Sequence, residues 1–388
     1  MKRTIFTITL SLLIAFTAFA QETVLKPVYL RNSMDSIAQE QFNQSLETLF
    51  SEIIQGKINE DLLTPKRAEL TKSILQEFVT FESRKDSAAA ATQDKQLINI
   101  YPISDNEYFL SVAYVNGELT PNPIIFYTID LIATKTGDNF TFSVPVDYLT
   151  RYWKTQTVGN ISYHYRGELN TERAKIFDEK NTIIAEKLGV EPEKLDFYMC
   201  DHYQEIMELL GFNYSLTSNG QYRDGYGVDA KTIFSVMDNE DFSHDMFHYY
   251  SGKINERINR NWITEEGIAY AWGNAYYTDE EGEMITHSQL VKELKNYLTQ
   301  NPDTDLFELF SKDIKIFKHL APEVSTRSTI SGIIAMEVEK QKGKEGISAL
   351  INAGSQDRLK NYLTATDDLI GINEKNFDVK VKELILEN

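Results

Sequence analysis

The chain has 388 residues, of which 42% are hydrophobic and 25% are charged. This length exceeds what one ordinary core holds and predicts more than one domain, while the composition excludes a disordered chain. The 58 acidic residues outnumber the 39 basic ones, giving a formal net charge of −19. Because nucleic acid and anionic membrane surfaces repel such a chain, we expect neither as a partner.

The first twenty residues have the pattern of a secretory signal peptide. Lys2 and Arg3 precede the apolar run TIFTITLSLLIAF, and small residues at Ala18 and Ala20 suit cleavage after Ala20. The alternative is a membrane anchor, but the run is shorter than the roughly 20 apolar residues of a spanning helix. We therefore expect an exported protein, periplasmic or secreted, with no membrane span in the mature chain.

Residues 21–155 are predicted to form an α+β domain whose role the sequence does not indicate. Two stretches within 34–84 repeat apolar residues with the helical period. Between about 96 and 148, four β-branched and aromatic runs alternate with turn sequences such as SDN and KTGD. This pattern predicts an antiparallel sheet packed on two helices.

Strands and helices alternate from 156 to 289, and residues 290–388 are predicted to be helical throughout. One predicted helix has Asn170 as its cap and Gly189 as its stop. Cys200, the only cysteine, lies in the apolar run LDFYMCD, so we interpret it as a buried thiol rather than a nucleophile. With a single cysteine, no intramolecular disulfide can form.

The stretch HDMFHYYSGKINERINRNWITEEGIAY, residues 244–270, carries two histidines four positions apart. On a helix, His244 and His248 share one face, and two such imidazoles can bind one cation at roughly 2.0–2.1 Å. A pair with this spacing also occurs without a metal, so the neighbouring sequence decides the interpretation. Asp245 occupies the position from which a carboxylate can activate water at the metal.

The neighbouring sequence favours a metal site. The run DAKTIFSVM predicts a strand just upstream, which could offer an edge to an extended substrate. A polar turn then leads into a second helix, with Thr264 as its expected cap and Glu266 in its first turn. This helix can return the chain to the histidines and present a third ligand.

The stretch resembles the gluzincin metallopeptidases, the superfamily of thermolysin and the zinc aminopeptidases. In that superfamily H-E-x-x-H on one helix is completed by a glutamate on the next, within a W-x-x-E-G-x-A-like phrase in the aminopeptidase branch. Here the phrase is WITEEGIA, 262–269, and its register points to Glu266 rather than Glu265. The resemblance, which extends to peptidase-MA-like proteins and covers about 156–388, implies Zn²⁺ held by His244, His248 and Glu266, with water as fourth ligand.

The departure from the family is Asp245, where the motif has glutamate. Aspartate is one methylene shorter, proton transfer needs heavy atoms within roughly 2.6–3.2 Å, and a misplacement of about 1 Å can cost on the order of 100-fold in rate. The helix could sit closer to the metal, or a second water could relay the proton. Otherwise the protein is a weak or inactive homologue that acts as a peptide- or protein-binding module. Tyr270, one turn beyond Glu266, is a candidate to orient that ligand.

The sequence thus predicts an α+β protein. An N-terminal helix-plus-antiparallel-sheet domain precedes a gluzincin-like metallopeptidase domain at 156–289 and a helical C-terminal subdomain at 290–388. The leading interpretation is an exported zinc-dependent metallopeptidase that hydrolyses peptide or protein substrates, with Asp245 as the catalytic base.

Overall fold

The computed structural model describes residues 25–26, 34–83, 94–116, 124–215 and 227–387. The signal peptide predicted at 1–20 lies outside these residues, so its cleavage stays a prediction. The described residues combine helices and strands, with an antiparallel sheet near the N-terminus and a helical region at the C-terminus. The predicted α+β class is confirmed at this level. None of the described helices is both long and apolar enough to cross a membrane.

The elements up to residue 149 follow the sequence prediction closely. They are β1 (Leu25–Lys26), α1 (Ser36–Ile54), α2 (Ala68–Ser83), β2 (Asp94–Pro102), β3 (Glu107–Asn116), β4 (Ile124–Thr136), β5 (Asn139–Ser143) and α3 (Val146–Leu149). The strands lie side by side in the order β1-β2-β3-β4-β5, and each pair from β2 to β5 is antiparallel. The short connections at 103–106 and 137–138 favour antiparallel pairing of the strands that they join.

The remaining elements begin with a second, mixed sheet. They are β6 (Lys154–Val158), β7 (Ile161–Tyr165), α4 (Thr171–Leu188), β8 (Leu195–Met199), α5 (Tyr203–Leu209), β9 (Phe212–Ser215), β10 (Gly227–Asp229), β11 (Thr232–Ser235), α6 (Ser243–Ile254), α7 (Trp262–Ile268), α8 (His287–Gln300), α9 (Leu306–Lys312), α10 (Thr326–Ile351), α11 (Arg358–Ile370) and α12 (Phe377–Glu387). The sheet order is β10-β11-β8-β7-β6, with β7, β8 and β11 parallel.

Two details of these elements differ from the sequence prediction. The strand expected to offer an edge, β11, is instead paired on both sides, and β10 is the outer strand among the described residues. Within 290–388, predicted to be helical throughout, α10 has a kink at Gly343, which has a non-helical φ of 62°. Glycine adopts this conformation without the steric cost of a side chain, so the helix changes direction there.

The second sheet separates two hydrophobic cores. Leu195, Phe197 and Ile233 join the second core, formed with α4 and helices α6 to α12. Tyr198 and Phe234 point the other way, into the first core formed by α1, α2 and the first sheet. This alternation follows from the pleat of a strand, which sends successive side chains to opposite faces.

The first core also draws on residues beyond the predicted boundary at 155. Strand β9 extends the first sheet by pairing with β4, with Tyr214 opposite Thr128. From α5, Ile206 and Leu209 pack into the same core, as does Cys200, whose thiol is buried as expected. Burial raises the pKa of this thiol, which disfavours the reactive thiolate. The boundary at 155 stays a prediction, but chain on both sides of it builds the first core.

A buried arginine joins the two parts of the chain. The Arg67 guanidinium, just before α2, donates to Asp147 Oδ1 at 2.7 Å and to Asp196 Oδ2 at 2.9 Å on β8. It also donates to the Tyr198 hydroxyl at 2.8 Å. Burial alone would raise the pKa of Asp147, but hydrogen bonds from Arg67 and Lys66 lower it overall, so the carboxylate stays charged.

Candidate metal centre

Helix α6 places both predicted histidines on one face, with their ring nitrogens converging. His244 is buried, His248 is half-buried, and their Nε2 atoms are 3.3 Å apart. Two nitrogen lone pairs at this distance repel each other unless a proton or a cation lies between them. The pair therefore has the donor arrangement that a metal ion requires.

Helix α7 supplies the third predicted ligand. Glu266 Oε1 lies 3.1 Å from His248 Nε2, and Glu266 Oε2 lies 3.7 Å from His244 Nε2. Ligand atoms about 2.0–2.1 Å from a tetrahedral Zn²⁺ are separated from one another by roughly 3.3 Å. The three distances lie close to this value. In the described part of the chain, these residues form the one cluster of three or more histidine, cysteine or acidic side chains that could hold a metal ion.

The main chain after α7 orients His244. The His244 Nδ1 atom is 2.9 Å from the carbonyl oxygen of Asn274. Because a carbonyl oxygen only accepts, Nδ1 carries the proton and Nε2 keeps its lone pair toward Glu266. Burial lowers the pKa of His244 to about 4, and repulsion from His248 acts in the same direction. Its imidazole is therefore neutral at physiological pH.

A different contact orients His248. The indole of Trp262 stacks on its imidazole, with ring centroids 5.4 Å apart and an angle of 7° between the planes. Burial alone would lower the pKa of His248, but its hydrogen bond to Glu266 and the charge of that carboxylate raise it overall. Trp262 is 49% exposed, so the ring that holds His248 also forms part of the protein surface.

The side chains of the adjacent glutamates 265 and 266 make different contacts. Glu265 is 1% exposed and points away from the histidines. Its Oε2 accepts hydrogen bonds from Arg260 Nε at 2.9 Å and Nη2 at 2.8 Å, and its Oε1 accepts from the Ser251 hydroxyl at 2.5 Å. Glu265 therefore ties α7 to the end of α6, while Glu266 faces the two histidines.

The prediction that Thr264 caps α7 is wrong. Asn261 caps the helix instead, since its side-chain oxygen accepts from the backbone nitrogens of residues 263 and 264. Thr264 lies inside the helix and donates to the carbonyl oxygen of Leu350 at 3.0 Å. The Tyr270 hydroxyl accepts from the backbone nitrogen of Ser325 at 3.1 Å, and its role in orienting Glu266 stays a prediction.

Close packing against α10 fixes the position of α7. A Cβ atom on Gly267 would lie 2.7 Å from the backbone carbon of Ser331, a distance that real Cβ atoms do not show. The Ser331 hydroxyl donates to the carbonyl oxygen of Ile263 at 2.9 Å. The glycine of the sequence motif is thus needed for the approach of two helices, and this approach sets where Glu266 stands.

Asp245 faces the same cleft as the three candidate ligands. We define the cleft as the cavity of about 370 Å³ lined by His244, Asp245, His248, Trp262, Glu266, Tyr270, Tyr276, Tyr277, Asp313, Lys315, Glu323, Ser325 and Arg327, with Ala275 and Ser328. Burial raises the pKa of Asp245 to about 6. The charge of His248 lowers this pKa, whereas the charge of Glu266 raises it. Among the described residues, none donates a hydrogen bond to its carboxylate.

The far wall of the cleft was not foreseen from the sequence. Asp313 follows α9 in a left-handed conformation, with φ of 50°, and its Oδ1 accepts from the Ser325 hydroxyl at 2.9 Å and from Arg327 N at 3.0 Å. Its Oδ2 accepts from the ammonium of Lys315 at 2.8 Å. These bonds join the segment after α9 to the start of α10. They explain how residues nearly 70 positions from the histidines come to line the same cleft.

The remaining histidines make ordinary contacts. His164 pairs with Asp196 at 2.9 Å, the His202 side chain caps α5, and His287 lies 2.9 Å from the carbonyl oxygen of Thr329. His319 is on the surface, 3.7 Å from Glu293.

Comparison of the chain with known protein families and with curated proteins finds no match in either case. The interpretation of the site therefore depends on the chemistry and the geometry of the residues themselves.

Proposed function

We propose that this protein is an exported zinc-dependent metallopeptidase. The observation that carries the proposal is the convergence of His244 Nε2, His248 Nε2 and a Glu266 oxygen, all within 4.8 Å of one another on the wall of a cleft. Two imidazoles and one carboxylate are a donor set used by catalytic zinc sites, which leave one position open. Bound zinc would polarise the scissile carbonyl and lower the pKa of a water molecule.

The chain's own residues have distinct roles in this proposal. The backbone oxygen of Asn274 holds His244 in the tautomer that can bind a metal, and the Trp262 ring holds the plane of His248. Asp245 would take a proton from the attacking water and return it to the leaving amine. Its exposure to the cleft and its lack of a hydrogen-bond donor in the described residues support this role, since no structural contact occupies the carboxylate.

Metal analysis of the purified mature chain tests the site. We expect about one zinc per chain, lost in the double variant His244→Ala/His248→Ala and retained in His319→Asn, which changes an exposed histidine outside the cleft. Each ligand lost should lower zinc affinity by more than the roughly 10- to 100-fold typical when a residue that hydrogen-bonds to a ligand is changed. Full zinc occupancy in the double variant would refute the ligand assignment.

Two substitutions of Asp245 then separate an enzyme from a binding module. Asp245→Asn should retain zinc and lower peptide cleavage by roughly 100-fold or more, because an amide cannot accept the proton. If the site is adapted to aspartate, Asp245→Glu should also lower cleavage. If the site is a degraded peptidase, the longer side chain should raise cleavage by roughly 100-fold. A zinc-loaded protein that cleaves no peptide in a library, and is not rescued by Asp245→Glu, would be a binding module.

A further inference from the structure

A second cavity adjoins the metal cleft, and the two share the Trp262 ring. This cavity, which we call the arginine cavity, has a volume of about 490 Å³ and is lined by Arg257, Ile258, Arg260, Trp262, Glu265, Ser355 and Arg358. Since Trp262 stacks on His248, the arginine cavity begins one aromatic ring away from a candidate metal ligand. A chain segment leaving the cleft past Trp262 would enter it.

The charge of the arginine cavity is opposite to that of the protein. Three arginines line it against the single carboxylate of Glu265, in a chain with a net charge of −19. Glu265 compensates only Arg260, to which it is hydrogen-bonded. Neither Arg257 nor Arg358 has an acidic partner in the described part of the chain, and both are exposed. Two guanidinium groups are therefore available to an external anion.

Backbone hydrogen bonds join the two chain segments that carry these arginines. Ser355 N donates to the carbonyl oxygen of Ile258 at 3.1 Å, and Gly354 N donates to that of Asn259 at 2.8 Å. The Nε atom of Arg358 donates to the carbonyl oxygen of Ser355 at 3.2 Å, which leaves its terminal nitrogens for other partners. The loop that carries Arg257 is thus joined through its backbone to the segment that leads into Arg358 at the start of α11, and such preorganisation lowers the entropy lost on binding.

The apolar surface of the cavity suits a peptide better than a small inorganic anion. Ile258 is 66% exposed and Trp262 is 49% exposed, although side chains of these types are usually covered. An aromatic ring beside arginines is a common anchor in protein recognition, where the ring supplies contact area and the guanidinium supplies specificity. A carboxylate carried on a peptide would use both kinds of surface.

We propose that the arginine cavity is a substrate subsite that binds a peptide carboxylate through Arg257 and Arg358. The carboxylate belongs either to an aspartate or glutamate side chain or to the peptide C-terminus, since the guanidinium group binds both in the same way. This subsite deepens the proposed peptidase function and rests on it for the identity of its ligand as a substrate.

Binding of four matched peptides tests the subsite. An octapeptide with two glutamates and its glutamine counterpart, each as a free acid and as a C-terminal amide, are titrated calorimetrically into full-length mature Asp245→Asn protein with zinc. We expect roughly 10- to 100-fold tighter binding of a carboxylate-bearing peptide than of its neutral counterpart, weakening with salt. A difference between the glutamate and glutamine peptides shows that the subsite binds a side-chain carboxylate. A difference between the free acid and the amide shows that it binds the C-terminal carboxylate.

In the variant Arg257→Gln/Arg358→Gln, the ratio of the affinity for a carboxylate-bearing peptide to that for its neutral counterpart should fall close to one. Arg151→Gln, which removes an exposed arginine that does not line the cavity, should leave the ratio of the two affinities unchanged. Arg257→Glu provides a second variant at an exposed position and should shift the preference toward peptides with lysine. The proposal is overturned if the wild-type protein binds carboxylate-bearing and neutral peptides equally well. It is also overturned if the double glutamine variant still binds the carboxylate-bearing peptide more tightly.

The subsite and the peptidase proposal fail in different ways. Cleavage of peptides without any carboxylate preference would refute the subsite and leave the peptidase function intact. Carboxylate-dependent binding without cleavage by the protein carrying Asp245 would refute the peptidase and retain the arginine cavity as a binding site. Equal cleavage of acidic and neutral peptides by wild-type protein and by the double glutamine variant is the clearest result against the subsite.

Discussion

The two hydrophobic cores of this molecule are surrounded by backbones of different character. The described residues from 34 to 149, which build most of the first core, have positive φ only at glycines, and Ala230, which also packs against this core, has φ of 45°. In the part that carries the site, Tyr276, Asp313 and Asp357 adopt positive φ, and a turn of π-helix covers Ala269–Gly273. Such features cost of order 1–3 kcal/mol each and cluster at functional sites. Unusual backbone is thus more frequent in the second region, which is built around the second core and carries the candidate site.

If the first core supports the second region, removing it should have the largest effect. A fragment of residues 156–388 would expose Tyr198, Phe234 and Cys200 on the second sheet, along with the apolar side of α5. Each large side chain contributes roughly 1.5 kcal/mol or more when buried, so the loss is comparable to the total stability of a domain. We expect the fragment to lack cooperative thermal unfolding by circular dichroism, unlike residues 21–388. A fragment that unfolds cooperatively and binds zinc would instead support a domain boundary at 155.

The adjacent glutamates should separate stability from metal binding within the second region. Glu265→Gln leaves the Arg260 guanidinium without its buried partner and should lower the free energy of unfolding by about 3 kcal/mol, with zinc affinity nearly unchanged. Glu266→Gln should mainly lower zinc affinity, because it removes a candidate ligand carboxylate and leaves the Glu265–Arg260 pair intact. Urea unfolding of the zinc-free proteins and zinc titration measure the two effects. Loss of zinc affinity in both variants would mean that the two roles are coupled.

The junction between the regions should be sensitive to acid. Arg67→Met should lower the free energy of unfolding at pH 7 by about 2 kcal/mol, less than for a fully buried pair because Asp147 and Asp196 are each about one-third exposed.

The folded-state pKa values of these carboxylates lie below the ordinary value of 3.8, since burial, which would raise them, is outweighed by hydrogen bonds and the charge of Arg67. Their stabilisation is therefore complete above about pH 4 and is lost as the pH falls through the folded-state pKa values. The difference between wild type and Arg67→Met should shrink between pH 5 and pH 2. Urea unfolding across this range measures it, and a difference that does not change with pH would contradict the assignment.

The smallest expected effect is the change in stability when the aspartate that precedes a helix is replaced by glycine, and this change should have opposite signs in the two regions. Asp357 precedes α11 with φ of 43° and makes no side-chain cap, so Asp357→Gly should relieve backbone strain and stabilise the protein by about 0.5 kcal/mol. Asp35 precedes α1 with φ of −66° and caps two backbone nitrogens, so Asp35→Gly should destabilise it by about 0.5 kcal/mol. Melting temperatures of the two variants test this, and shifts of the same sign would contradict the contrast between the regions.

Sequence patterns predicted the helices, the first sheet and the convergence of His244, His248 and Glu266, because these features depend on periodicity and spacing within a short stretch of chain. They did not predict that Asn261 caps α7, since both asparagine and threonine favour that position and packing on α10 decides between them. They also missed Lys315 and Asp313 in the cleft. These residues reach it only through the contact between the end of α9 and the start of α10, for which no local pattern exists.

The hydrogen bond that fixes His244 has a consequence for how the site tolerates mutation. Its acceptor is the main-chain oxygen of residue 274, and every amino acid supplies such an oxygen. The identity of the side chain at 274 is therefore irrelevant to this particular bond, whereas the route of the backbone is decisive. That route passes so close to α6 that a Cβ atom on Gly273 would lie 2.9 Å from the backbone nitrogen of His244. The orientation of this candidate metal ligand thus depends on a neighbouring residue that has no side chain.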